Sequence, residues 1–423
     1  MRNKEERYFP TIICLFLSIF LMSSSFPLYV MTVLGESTSS MSQFQILFLS
    51  YAFQTIFELP SGYLADIFSR KKILILGCLI NLFASVYFLN TNLPPVYILC
   101  WFVLASCCFT GTASAYLYEI CLNYRVLHRY LAYESILQAI HFIVWTLSFL
   151  YANWLSNWDI HLLYYSVQTS YSDGLLFIVP NVLCILLLLY LPSYVPMRMN
   201  PRFRNRYSVN FIDHISATFH QILSNRALVF ALIGSAITVG ISHCLMNLMY
   251  LKSFSENIMT YLLFSSTYII GCLSSILIYH YHELFNIVRV TRWLCISNIL
   301  ILTLSLLLII VSQFGLLPYQ DVSSMDVFQI LFTVGTFILG FMYASLLAPV
   351  IEIINAEIAA VYRATAISTS FLIKRITYLL LILISTSTMV NQVEMLLLLL
   401  AISWLFIIWF LRQSRKLRQD YPS

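Results

Sequence analysis

Apolar windows of roughly twenty residues recur along almost the whole of this chain, and a helix of that length crosses about 30 Å of hydrocarbon. Twelve can be marked, near residues 10–33, 42–66, 72–90, 95–121, 132–154, 173–191, 226–250, 258–281, 291–313, 326–350, 364–387 and 392–411. A closed barrel is the other way to satisfy every backbone group in lipid. It needs polar and apolar residues to alternate, and these windows are apolar all round. The chain is therefore expected to be an all-α integral membrane protein with twelve transmembrane helices. Only 10% of its residues are charged, so the few charges carry much of the information.

Those charges set the orientation. Arg2, Lys4 and Arg7 precede span 1, Arg70, Lys71 and Lys72 lie between spans 2 and 3, and Arg125 and Arg129 between 4 and 5. Arg198, Arg202, Arg204, Arg206 and Arg226 fall between 6 and 7, and Arg289 and Arg292 beside the 8–9 loop. Arg363 lies between 10 and 11, and Arg412, Arg415, Lys416 and Arg418 in the tail. The opposite loops hold Lys252 beside Glu36, Asp159, Asp173, Glu256, Asp321, Asp326 and Glu394. Basic residues gather on the cytoplasmic side, so the protein is expected to sit in the cytoplasmic (inner) membrane with both termini cytoplasmic. The net charge of +5 is spread over seven such segments rather than gathered on one face, which argues against nucleic acid. The first span is too long for a signal peptide and lacks a cleavage site, so it is read as retained.

The longest polar stretch inside the chain runs over residues 192–225. It divides an amino-terminal six-helix bundle (1–191) from a carboxy-terminal one (226–411), followed by a basic tail (412–423). Two six-helix halves are the plan of transporters built from repeats. Residues Phe211 to Gln221 within this interdomain loop suit a short amphipathic helix on the cytoplasmic surface, its basic flank towards anionic lipid. All ten cysteines fall inside or at the ends of spans, without Cys-x-x-Cys spacing. Packing is their expected role, and no metal or other cofactor is implied.

One segment is more specific. Glu58-Leu59-Pro60-Ser61-Gly62-Tyr63-Leu64-Ala65-Asp66-Ile67-Phe68-Ser69-Arg70-Lys71-Lys72 joins spans 2 and 3. It resembles the signature loop of the major facilitator superfamily, roughly Gly-x-Leu-Ala-Asp-Arg-aromatic-Gly-Arg-Lys. Ile67 and Ser69 replace the usual Arg and Gly, losing one latch and stiffening the turn. Gly111 to Glu119, closing span 4, and Arg363-Ala364-Thr365 through Ser368 to Arg375 resemble further motifs of a bacterial branch, which also carries Glu-x-Pro-Ser/Thr-Gly before the signature. A second copy of the signature is not found between Gly271 and Arg289.

The resemblance implies two pseudo-symmetric six-helix bundles rocking about a midplane site. It also implies a gate in which Asp66 faces the amino end of span 11 at Arg363, where N–H groups and the helix dipole attract an anion. Gly62 would permit close packing, and Arg70 and Lys71 would anchor the loop. Glu58 lies about 12 Å inside span 2, and Lys374 and Arg375 about 17 Å into span 11, by the helical rise. Spans 2 and 11 face each other in that fold, which sets Glu58 and Arg375 at similar depth. Their pair either switches between access states or statically neutralises two buried charges.

On span 5, Glu134, Gln138, His141 and Trp145 share one face, Gln138 and Trp145 being further candidates for the substrate cavity. His141 suits a proton carrier, or it is a packed, hydrogen-bonded histidine. Glu119 and Glu134 either take part in coupling or form salt bridges with Arg125 and Arg129. In the resembled fold spans 1, 4, 7 and 10 line the cavity, and they offer Ser18, Ser23, Thr110, Ser114, Tyr116, His243, Asn247 and Tyr343. Such a lining, without strong charge, suits an amphipathic, weakly charged or zwitterionic solute.

Residues 132–154 contain no Gly and no Pro, unlike the Gly-Pro stretch of drug/proton antiporters in the superfamily. No phosphate-cradling loop, His-Glu-x-x-His or Gly-x-Ser-x-Gly is present, so an enzyme is not expected. The expected function is secondary active transport of a small organic solute, coupled to protons, by a monomer embedded in membrane lipid. Uptake, efflux of a drug or metallophore-like metabolite, and a non-transporting solute receptor are the alternatives.

Overall fold

A computed structural model describes residues 2–23, 40–88, 95–157, 171–193, 210–253, 258–281, 341 and 345–386. Six long helices come first: α1 (Arg2–Ser23), α2 (Ser40–Ile67), α3 (Arg70–Phe88), α4 (Pro95–Asn123), α5 (Tyr130–Asn157) and α6 (Tyr171–Tyr190). Then follow α7 (Phe211–Ser224), α8 (Arg226–Ser253), α9 (Ile258–His280), α10 (residues 345–357) and α11 (Arg363–Thr386). The windows near 291–313 and 392–411, and most of 326–350, lie outside the described residues. By length and composition, Leu99–Asn123 within α4 qualifies as a membrane span among the described residues, and Phe9–Ser23, Ile178–Tyr190 and Ile269–His280 are shorter apolar helices.

The outer faces of several helices are apolar, unlike those of a soluble bundle. The outer face of α3 carries Leu76, Leu79, Phe83 and Val86, that of α6 carries Val179, Val182, Leu183, Leu186 and Leu189, and that of α9 carries Ile269, Leu273, Ile276 and Leu277, all exposed. Spacings of three and four make each an apolar stripe, and stripes of this extent suit lipid rather than water. Polar groups are inside. Asn81 donates to Oδ1 of Asn181 at 2.8 Å, and Asn181 donates to the Ser85 hydroxyl at 3.4 Å, which ties α3 to α6. Cys78 and Cys184 meet with sulfurs 3.0 Å apart in the same packed region.

The turns explain how the ends are placed. Only Phe68 and Ser69 separate α2 from α3, and the Lys72 N–H reaches the Ser69 carbonyl at 2.8 Å. Among the described non-glycine residues only Arg125 has a positive φ, of 60°. Ser69 in place of Gly therefore needs no left-handed backbone. Ile67, in place of Arg, points outward and is 40% exposed.

The α7 helix begins at Asn210, whose side chain accepts from the Ile212 N–H, and buries His214, Thr218 and Ile222 on one face. Its axis is turned 95° from that of the following α8. A helix that lies across the bundle end and hands over at a right angle to a spanning helix suits the membrane surface.

Candidate functional site

Asp66, at the last turn of α2, is buried and faces the first turn of α11. Its Oδ1 accepts the Ala364 N–H at 3.0 Å, and its Oδ2 accepts the Thr365 N–H at 2.8 Å and the Thr365 hydroxyl at 2.7 Å. A helix start leaves its first N–H groups unsatisfied and carries a partial positive charge, so a carboxylate from another helix caps it. Arg70 stands one turn further on with no exposed surface. It donates to the Asp66 carboxylate at 3.4 Å, to the Ala115 carbonyl at 3.3 Å and to the Ala360 carbonyl at 2.8 Å, and it pairs with Glu119. One guanidinium thus joins α2, α4 and the turn before α11.

Lys71 sits at the end of α6, donating to the Leu189 carbonyl at 2.9 Å and to the Leu191 carbonyl. A cation there complements the negative end of the helix dipole. Gly62 and Gly111 both press on α11. A Cβ on Gly62 would stand 2.7 Å from Oγ of Ser368, and one on Gly111 would stand 2.9 Å from the Ala364 carbonyl oxygen. The three helices meet this closely because neither glycine has a side chain.

Deeper in the seam Glu58 and Arg375 form an ion pair, with Glu58 wholly buried. The Thr110 hydroxyl of α4 donates to the other Glu58 oxygen at 2.6 Å. Lys374, the neighbour of Arg375, is 4% exposed, and its ammonium lies 5.0 Å from the Phe371 ring centroid without a hydrogen-bond partner.

Glu134 is buried among neutral donors. Ser114 and Gln138 donate to its Oε1 at 2.9 and 2.8 Å, and the Tyr130 hydroxyl donates to Oε2 at 2.9 Å. Asn355 of α10 then donates to the Tyr130 oxygen at 2.8 Å, and Arg363 donates through Nε to the Asn355 carbonyl at 2.9 Å. The Arg363 guanidinium also stacks 4.2 Å from the Tyr118 ring centroid. A chain of hydrogen bonds therefore runs from α5 to the start of α11.

Several expectations change. Glu119 pairs with Arg70 and Glu134 takes neutral donors, in place of salt bridges to Arg125 and Arg129; both arginines are exposed at the loop. Tyr116 is no cavity group here: it is fully buried and its hydroxyl donates to the Pro192 carbonyl at 2.5 Å. Thr110 and Ser114 are engaged with Glu58 and Glu134. The Ser18 hydroxyl donates to the Cys14 carbonyl of its own helix at 2.7 Å. His141 places Nδ1 2.9 Å from the Leu137 carbonyl, again within its own helix. Ser23 and Trp145 are half-buried. Tyr343 and the side chains of His243 and Asn247 lie outside the described residues.

His214 was not foreseen. From α7 its Nε2 lies 3.2 Å from the Thr365 hydroxyl and 3.6 Å from Oδ2 of Asp66, between the rings of Tyr63 and Tyr362. The signal for it was faint: one of two histidines on a short helix, in its first turn, where burial depends on which face docks. Asn355 was missed for the same reason. Among the described residues no group of three or more His, Cys, Asp or Glu could hold a metal ion.

Comparison with known proteins fits this arrangement. A family model described as Major Facilitator Superfamily matches residues 9–376. No curated protein sequence matches the chain. Among solved structures, the chain is similar to a point variant of the Escherichia coli fucose:proton symporter FucP. The TM-score is 0.65 at 12% identity, with 96% of this chain and 99% of that chain covered. A second structure, of FucP in the outward conformation, has a TM-score of 0.63 at 13% identity over 96% and 99% of the two chains. Identities this low speak for the fold alone.

Proposed function

The chain belongs to the major facilitator superfamily, and from that premise we propose that it is a proton-coupled secondary transporter of a small organic solute in the cytoplasmic membrane. Two six-helix halves rock about a midplane site, and the basic end, with both termini, faces the cytoplasm. The observation that carries this reading is the capping of α11 by Asp66. A carboxylate that closes a contact between helices of different halves through backbone N–H groups makes a bond that rigid-body rocking breaks and remakes without unfolding either helix.

The gate comprises Gly62, Asp66, Arg70, Lys71 and Arg363. Glu58 with Arg375 is the coupling pair: a proton on Glu58 would remove the attraction and release Arg375. Glu134 holds the seam on the α5 side. That FucP is a fucose:proton symporter supports proton coupling in this chain without naming its solute.

Flux tests this. The purified protein is placed in proteoliposomes with a trapped pH dye, a proton gradient is imposed, and pools of metabolites, drugs and siderophore-like compounds are added. Proton movement triggered by one pool is the expected result. Solute equilibration without proton movement would replace coupling by uniport, and binding without flux would replace transport by reception.

A further inference from the structure

Every buried acidic or basic side chain described along the seam has a partner except one. Asp66 has Arg70 and two N–H groups, Glu119 has Arg70, and Glu58 and Arg375 neutralise each other. Glu134 takes three donors, and Arg363 has the Asn355 carbonyl and the Tyr118 ring. Among the described residues Lys374 has the Phe371 ring beside it, and its Nζ makes no hydrogen bond. One turn earlier on α11, Ser370 is 1% exposed and its hydroxyl also has no partner.

Positions four apart lie one above the other on a helix, so the two unpartnered donors share a face. At 100° per residue, this face is well away from Ala364, Ser368 and Arg375, which meet α2 and α4. It turns instead towards Thr377, against which Gly240 of α8 packs.

A buried ammonium with no acceptor is a standing penalty in a membrane protein, and the neighbouring Arg375 makes it worse. Lost charge in one access state is tolerable where a negative group arrives in another. We infer that Lys374 and Ser370 form an anion subsite between α11 and α8 that takes the carboxylate of a monoanionic or zwitterionic solute. The inference rests on the transport reading above and adds the charge class of the cargo. Glu58 already offsets Arg375 at this depth of α11, which leaves the Lys374 amine as the local group for an anion. That balance suits a single carboxylate and disfavours a dianionic phosphate ester.

The test uses the whole protein in detergent, with affinity measured by titration calorimetry. The probes are lactate, benzoate and glycine beside lactamide, benzamide and glycinamide. Wild-type protein is expected to prefer at least one carboxylate over its amide by tenfold or more. Lys374→Met should abolish that preference, Lys374→Arg should keep most of it, and Ser370→Ala should weaken carboxylate binding several-fold. Equal binding of acids and amides, no binding of any carboxylate, or an undiminished preference in Lys374→Met would each overturn the subsite. Should Lys374→Met fail to fold, Ser370→Ala decides: unchanged carboxylate affinity counts against the subsite. Carboxylates that bind but are not carried in proteoliposomes would leave the subsite standing and remove the transport reading. Flux indifferent to charge and to Lys374 would do the reverse.

Discussion

Thr365 meets Asp66 twice on the same carboxylate oxygen, through its N–H at 2.8 Å and its hydroxyl at 2.7 Å. The first turn of α11 is thus held by backbone and side chain together, while Ala364 takes the other oxygen. Capping contacts of this kind contribute about 1–2 kcal/mol each. In Asp66→Ala the amide protons of Ala364 and Thr365 should exchange roughly 5–30 times faster, the factor that such energies represent. Hydrogen exchange read by mass spectrometry checks this, and unchanged protection would show that the contact does not hold the seam closed. Solute flux should fall in parallel.

The Glu58–Arg375 pair makes a prediction about singles and doubles. Glu58→Gln leaves a buried guanidinium uncompensated and Arg375→Gln leaves a buried carboxylate, each costing about 3–5 kcal/mol. The double substitution removes both charges and should recover most of the thermal stability. Flux separates the two roles: if the pair switches, the double variant stays inactive. Full activity in the stable double variant would make the pair purely structural.

His214 bridges α7 to the Asp66–Thr365 contact. His214→Ala should free α7 from the bundle end, so that residues 210–224 lose exchange protection while the Glu58 region keeps its own. The loss should be about 1–3 kcal/mol, the usual cost of orphaning a buried polar partner. Protection unchanged along α7 would assign its docking to Ile222 and Thr218 instead.

Arg125 occupies the left-handed region at φ 60°, between the end of α4 and the turn before α5. A side chain there costs about 1 kcal/mol that glycine avoids. Arg125→Gly should therefore raise the thermal midpoint without reducing flux; a fall in stability would show that the exposed guanidinium has a role that its backbone does not reveal.

Family and helical fold were legible in the sequence because both are written locally. Apolar windows of spanning length need no tertiary knowledge, and the residues from Gly62 to Lys71 are contiguous. The similar depths of Glu58 and Arg375 follow from the rise per residue once the resemblance sets spans 2 and 11 face to face. What escaped is what only packing decides. Arg70 and Glu119 are 49 positions apart, and nothing in their surroundings distinguishes that partner from Arg125 or Arg129, which are nearer to Glu119 in the chain. Tyr116 sits in a span expected to line a cavity, yet its hydroxyl looks the other way, to Pro192. Helix rotation about its own axis separates these cases, and an evenly apolar span such as α4 leaves rotation undetermined.

Gly62 and Gly111 converge on one turn of α11 from two different helices. Their shared emptiness works as a gauge block: α2 and α4 can come this close to α11 only while both positions hold a hydrogen and nothing larger. A methyl group at either would act as a doorstop, keeping the seam ajar without touching the carboxylates, the ammonium or the solute. The packing of this end and the chemistry of its buried charges are therefore separable in this molecule.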